Sequence, residues 1–322
     1  MTVAVLGAGA FGTALAVALT LGGRKVMLWA RDADHVAEMQ SSRRNDRRLP
    51  GVDLPPGLEV TADLGEVTAP TLLLAVPMQQ TGGFVAAHRA VLQDRDLVAC
   101  AKGMDLKTLQ GPVAELTAAQ LGGSVAILTG PSFAADIARG LPTALTLACA
   151  DDKAAERLQD LLSTTTLRLY RSDDTLGAEL GGALKNVIAI AAGIVIGADL
   201  GHSARAALMT RGFAEMVRLA SALGARADTL MGLSGFGDLV LTCTSDQSRN
   251  FRYGKALGSG APWDANVTVE GAATAQAVAR LAAAKGIDMP ICTMVAALIE
   301  RKIAVEDAVS ALMARPLKKE IP

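Results

Sequence analysis

The chain has 322 residues, room for two domains at ~100–200 residues each, and with 51% of them apolar and only 20% charged it excludes disorder and fibrous repeats. Lys and Arg total 31 against 32 Asp and Glu, a formal net charge of −1. That balance excludes a protein that coats nucleic acid or an anionic membrane, while admitting a local basic pocket.

In chain order, short apolar runs alternate with helical stretches. Val3-Ala4-Val5-Leu6 is followed by a helix from about Gly12 to Leu21 and by Lys25-Val26-Met27-Leu28-Trp29. Further strand-like runs stand at Thr71–Val76, Asp96–Ala101, Val125–Thr129, Thr143–Ala148 and Thr166–Tyr170. This rhythm predicts an α/β, doubly wound sheet. Turn formers or charges close four of the runs, at Gly7, Pro77, Lys102-Gly103 and Gly130-Pro131-Ser132. The carboxyl ends of such strands line one ligand crevice. From about Asp173 the pattern becomes helical and Ala-rich, with expected glycine loops at Gly232–Gly237 and Gly258–Pro262. The boundary is set near residue 172, giving 1–172 as the dinucleotide-binding domain and 173–322 as an all-α domain. The charged run Arg43-Arg44-Asn45-Asp46-Arg47-Arg48 predicts a solvated loop.

Cys100, Cys149, Cys243 and Cys292 stand far apart with no CxxC pair, which points to neither a zinc cluster nor a disulfide framework and fits a reduced cytoplasm. No metal site is expected. Met1-Thr2-Val3-Ala4 has no basic lead-in to an apolar stretch, so no secretory signal is expected. The longest uncharged apolar run, Val187 to Ala198, is shorter than the ~20 residues that cross a bilayer.

Gly7-Ala8-Gly9-Ala10-Phe11-Gly12 closes a strand and opens a helix, the position in which GxGxxG binds a dinucleotide. Gly7 allows the tight turn, Gly9 lets backbone approach a pyrophosphate, Gly12 permits close helix packing, and the helix amino terminus offers N–H groups. The first domain is therefore of Rossmann type. At the end of the second strand an acid would grip the ribose hydroxyls, but Leu28-Trp29-Ala30-Arg31-Asp32 puts Arg31 in the turn. Arginine pairs with a 2′-phosphate, which favours NADP over NAD; Asp32 next door leaves the ribose role open.

Lys185 and Asn186 are the only polar side chains between Glu179 and Asp199. A buried ammonium loses pKa and becomes a candidate general base, whereas a lysine at a helix edge would snorkel to water. Asp238 and Thr242 are spaced to face the same way on a helix. Arg249, between Ser248 and Asn250, offers donors to a phosphate, while Ser248 alone reads as a helix cap.

With these residues assembled, the chain resembles the bacterial NAD(P)-dependent glycerol-3-phosphate dehydrogenases over nearly its whole length. The resemblance rests on Gly7–Leu15, Ala75-Val76-Pro77, Ala101-Lys102-Gly103, Gly130-Pro131-Ser132-Phe133-Ala134, Gly181–Asn186, Ala206–Gly212, Leu233–Leu239, Ser248-Arg249-Asn250 and Val269-Glu270-Gly271. It implies interconversion of dihydroxyacetone phosphate and sn-glycerol 3-phosphate for glycerophospholipid synthesis, with a small-molecule substrate, no nucleic acid and an oligomeric state that admits a homodimer. It also implies that Lys185 is the proton acceptor or donor, and that Lys102, Gly130, Ser132, Asp238, Ser248, Arg249 and Asn250 meet substrate. Ala10, Phe11, Arg31, Lys102, Ala134, Arg249 and Glu270 match cofactor positions, beside Gly7, Gly9 and Gly12. The chain departs from many relatives at Met78 and at Gly201-His202-Ser203-Ala204-Arg205; His202 reads as a surface residue. A 3-hydroxyacid or 6-phosphogluconate type of dehydrogenase would share the Lys-Asn pair but not Gly130–Ala134 with Ser248–Asn250. A silent nucleotide sensor would have no need to keep Lys102, Lys185 and Asp238 together.

Overall fold

Val3–Leu6 (β1) is buried throughout, with Val3 and Val5 in the apolar layer on one face of a sheet and Ala4 and Leu6 in the layer on the other. That two-sided burial is what a continuous apolar run gives in a central parallel strand. The computed structural model describes residues 2–265 and 267–314. It adds Val26–Trp29 (β2), Glu59–Thr61 (β3), Thr71–Leu74 (β4), Asp96–Ala99 (β5), Val125–Thr129 (β6), Thr143–Cys149 (β7) and Leu167–Ser172 (β8). These make one eight-stranded sheet in the order β3-β2-β1-β4-β5-β6-β7-β8. Val3 of β1 pairs in register with Val26 and with Thr71, so the direction of winding reverses between β1 and β4.

Three elements of the sheet half depart from the sequence expectation. β3 is only three residues long and follows Pro55 and Pro56, too little for a visible apolar run. β7 runs antiparallel to β6, a direction that composition does not encode. The helix after β1 begins at Ala10 rather than Gly12.

The segment 43–48 is a loop exposed at Asp46, Arg47 and Arg48, but it is not solvated throughout. Arg43 donates to the carbonyls of Leu58 and Pro55, Asn45 is 1% exposed, and Arg47 bonds to Glu38 and, at 3.3 Å, to Asp32. Charge on the outer residues hid a buried polar residue between them.

From Thr175 onward the described residues form helices and no strand. Thr175–Gly197 is the axis of this half. It is long and apolar enough to cross a membrane, yet 89% of its apolar window is buried inside the protein. Arg249–Ser259 lies against it backbone to backbone. A Cβ at Gly193 would come within 2.1 Å of the Phe251 oxygen, and one at Gly254 within 2.0 Å of the Ile190 oxygen. Any side chain there would push the helices apart, so these glycines fix how Arg249 and Asn250 meet the axis helix. The glycine loop expected at Gly258–Pro262 starts later, because Gly258 and Ser259 finish that helix against Ile194. The one expected at Gly232–Gly237 is largely a π-helical turn, Leu233–Gly237, that runs into the helix Asp238–Thr244.

Candidate active site

β1, β4, β5 and β6 are parallel neighbours, so the residues after their carboxyl ends share one edge of the sheet. The glycine turn sits there, after β1, at the point where the winding reverses. Gly7 has φ +122°, and a Cβ on it would stand 2.6 Å from the Ala75 oxygen; one on Gly12 would stand 2.1 Å from the Gly7 oxygen. A Cβ on Gly9 would meet nothing within 4 Å. The turn is thus closed against the protein at Gly7 and Gly12 and open at Gly9, as backbone that approaches a pyrophosphate must be. Gly9 caps the helix Ala10–Leu21 without a side-chain oxygen, which leaves its amino terminus suited to an anion. Ala10 and Phe11 open that helix and pack with Ala134 beside Ile137 and Ala138.

Arg31 follows β2 on the same edge, exposed, its Nη1 3.4 Å from Gln80 Oε1. Asp32 caps the helix Ala33–Ser42 by accepting the His35 N–H at 3.1 Å, and it also meets Arg47.

Lys102 follows β5 and Gly130 follows β6. Lys102 Nζ donates to the Gly130 oxygen at 3.2 Å and to Asp238 Oδ2 at 2.6 Å. Ser132 Oγ donates to the same Gly130 oxygen at 3.3 Å. Lys185, on the axis helix, brings Nζ to 3.0 Å from Asp238 Oδ1 and donates to Thr242 Oγ1 at 2.8 Å. Thr242 in turn donates to Asp238 Oδ1 at 3.2 Å, as the four-residue spacing predicts. Asp238 is completely buried between two lysines. Its desolvation is outweighed by Lys102 and Lys185, which hold its carboxyl below the ordinary range. Burial brings Lys185 down to about 8 against the pull of Asp238, and Lys102 pushes the same way as burial.

The next residue, Asn186, accepts from Asn250 Nδ2 at 2.9 Å, and Asn250 Oδ1 accepts the Gly271 N–H at 3.0 Å. Asn250 therefore ties the Lys-Asn pair to the start of the helix Glu270–Lys285. Glu270, half-buried, has its carboxyl pushed up by burial while Arg249, Lys102 and Lys185 act against that shift. Ser248 is the cap of Arg249–Ser259, its hydroxyl accepting the Phe251 N–H, and Arg249 is exposed beside it. His202 is exposed near the start of Gly201–Ala222, apart from this cluster.

Direct contacts thus join Lys102, Gly130, Ser132, Lys185 and Asp238, and a second set joins Asn186 and Asn250. The glycine turn, Arg31 and Ala134 share the sheet edge with them without touching Lys185. Thr242, which the sequence paired with Asp238 by spacing without giving it a role, joins the site by accepting from Lys185 Nζ. Among the described residues no group of His, Cys, Asp or Glu could hold a metal ion.

An open glycine turn at the reversal of a doubly wound sheet, together with a buried lysine held by a helical half, is the build of a two-domain nucleotide-dependent dehydrogenase. The family described as NAD-dependent glycerol-3-phosphate dehydrogenase matches at residues 2–155 with its N-terminus and at 174–310 with its C-terminus. The chain belongs to that family. It is 63% identical over 320 residues to a glycerol-3-phosphate dehydrogenase, NAD(P)+, of Paracoccus denitrificans, covering 99% of this chain and 100% of that one. It is similar to the crystal structure of glycerol-3-phosphate dehydrogenase of Coxiella burnetii, with TM-score 0.92 and 38% identity over 98% of this chain and 99% of that one. A D-mandelate dehydrogenase with NADH is alike in fold alone, at TM-score 0.66 and 17% identity, covering 96% of this chain and 100% of that one.

Proposed function

We propose that the chain transfers hydride reversibly between NAD(P)H and dihydroxyacetone phosphate, giving sn-glycerol 3-phosphate for glycerophospholipid synthesis in the cytoplasm. The observation that carries this reading is the buried Lys185–Asp238–Lys102 chain, at 3.0 and 2.6 Å, on the edge of the sheet that also holds the glycine turn. Residues 1–172 would bind the nucleotide, through Gly7, Gly9, Ala10, Phe11, Gly12, Arg31 and Ala134 with Arg249 and Glu270. Residues 173–322 would bring the acid–base group and most of the substrate contacts. The native mass, measured by light scattering, decides whether a homodimer belongs to the reading.

The pyridine nucleotide supplies or takes the hydride when bound. Lys185 handles the proton. In reduction its ammonium donates to the oxygen that was the carbonyl, and in oxidation its neutral amine takes the hydroxyl proton. Asp238 keeps Nζ in place, and Thr242 accepts from the same nitrogen, so the amine has one direction left for substrate. Two lysines against one carboxylate leave the site positive, which favours an anionic substrate and the charge that builds on its oxygen. Arg249 and Asn250, with Ser132 and Gly130 opposite, are suited to the phosphate, whose binding energy orients the reacting carbon. Ser248 contributes by capping the helix that carries them.

The test is loss of reduced nucleotide on adding dihydroxyacetone phosphate, with dihydroxyacetone and a 3-ketoacid as alternatives. The phosphate ester is the expected substrate, with dihydroxyacetone far slower and NADPH used at least as well as NADH. Turnover of the ketoacid with none of dihydroxyacetone phosphate contradicts the reading.

A further inference from the structure

Asn45 lies in the charged run that the activity leaves unassigned. Its side chain is almost wholly buried, 1% exposed, and every polar atom of it is engaged. Nδ2 donates to the Ala8 carbonyl at 3.0 Å and to Thr13 Oγ1 at 2.7 Å. Oδ1 stands 2.8 Å from His35 Nε2. The amide cannot be turned over, since that would set Oδ1 against the Ala8 oxygen, acceptor against acceptor. With both amide hydrogens spent, Oδ1 can only accept, so His35 carries its proton on Nε2.

Ala8 is the middle of the Gly7-Ala8-Gly9 turn, and the peptide between Ala8 and Gly9 is a rigid trans plane, in which C=O and N–H point opposite ways. Holding the Ala8 carbonyl toward Asn45 therefore aims the Gly9 N–H away from it. On Gly9 a Cβ would meet nothing within 4 Å, so this is the open part of the turn. The third partner, His35, sits on the helix Ala33–Ser42, capped by Asp32 directly after Arg31. One side chain thus joins the glycine turn, the first turn of the helix behind it and the helix that follows Arg31.

We propose that Asn45 is a positioning residue for the dinucleotide, which sets the Gly9 N–H toward the pyrophosphate by fixing the Ala8 carbonyl. The inference rests on the nucleotide-binding reading above and adds to it a residue outside the glycine motif. It also accounts for an uncharged amide within a run of charges: aspartate, of the same shape, would accept from His35 but could donate to neither Ala8 nor Thr13.

The test is direct binding to the full chain by calorimetry, with NADPH and with adenosine 2′-monophosphate, which has no pyrophosphate. For Asn45→Asp the dissociation constant for NADPH is expected to rise about tenfold to a hundredfold, as loss of a buried donor does. That for adenosine 2′-monophosphate should change less than about threefold. If Asn45→Asp does not fold, His35→Leu reads the same network one bond further away, weakening NADPH about threefold to tenfold, and His35→Gln, which keeps a donor, restores it. Unchanged NADPH binding in Asn45→Asp, or in His35→Leu where that variant stands in, overturns the inference, and so does equal loss for both probes. Wild-type protein that binds neither probe overturns the nucleotide reading and this inference with it; wild-type binding with an unaffected variant overturns the inference alone.

Discussion

Arg31 and Asp32 divide the cofactor question between them. Asp32 is engaged twice, with the His35 N–H at 3.1 Å and Arg47 at 3.3 Å, while Arg31 is exposed on the crevice edge beside Gln80. The ribose role left open for Asp32 thus competes with a helix cap, and a 2′-phosphate would find cations and little uncompensated negative charge. A charge-assisted contact is worth ~1.5–3 kcal/mol. In Arg31→Ala the ratio of kcat/KM for NADPH over NADH should therefore fall about ten- to a hundredfold, with NADH spared; an unchanged ratio removes Arg31 from this role. Single residues were legible in the sequence where the signal is local. Gly7, Gly9 and Gly12 form a contiguous motif, and Lys185 shows as a charge in an apolar helix. Asn45 was missed because its partner Ala8 lies 37 residues away, and Thr242, paired with Asp238 by spacing, was not linked to Lys185, which lies 57 residues from it.

The axis helix Thr175–Gly197 joins the two halves through a buried acid as well as through Lys185. Glu179 Oε2 accepts the Val113 N–H at 2.6 Å, at the start of Pro112–Ala118 in the sheet half. Burial pushes its carboxyl up to about 7 against the N–H groups of Val113 and Ala114, with Glu115 adding to the rise. A raised carboxyl keeps its proton in the folded chain where the unfolded chain, at the ordinary 4.5, has lost it. Its contribution to stability is therefore present at low pH and lost as pH rises from the unfolded value through about 7, by about 3 kcal/mol in all. Glu179→Gln keeps an acceptor and removes the titration. Its Tm should exceed that of wild type at about pH 8, with the difference closing toward about pH 5; parallel curves would show that Glu179 is not the group responsible. Elements were readable where burial is two-sided, as in β1 and β4. The three-residue β3, the direction of β7 and the π-helical turn before Asp238 depend on neighbours that no local pattern names.

At the scale of the whole molecule the site exists only where the halves meet. Lys102 and Gly130 come from the sheet, Lys185, Asp238 and Thr242 from the helices, and no one segment holds the set. The sequence, through its motifs and its family resemblance, named most of these residues. The fold explains their proximity: glycine contacts between Thr175–Gly197 and Arg249–Ser259, and the packing of Gly181 against the Ser234 carbonyl, where a Cβ would stand 2.6 Å away. The central claim is that this junction does proton chemistry through Lys185. Its most direct test is kcat against pH for wild type and Lys185→Ala, with NADPH affinity measured alongside. With neutral Lys185 as the proposed base in oxidation of glycerol 3-phosphate, wild-type kcat in that direction should rise with pH through about 8, and in reduction it should fall over the same range. Lys185→Ala should lose ~10²–10⁴-fold in kcat and the inflection with it, at unchanged NADPH affinity. Turnover by Lys185→Ala near the wild-type rate, with the same inflection, would contradict the account.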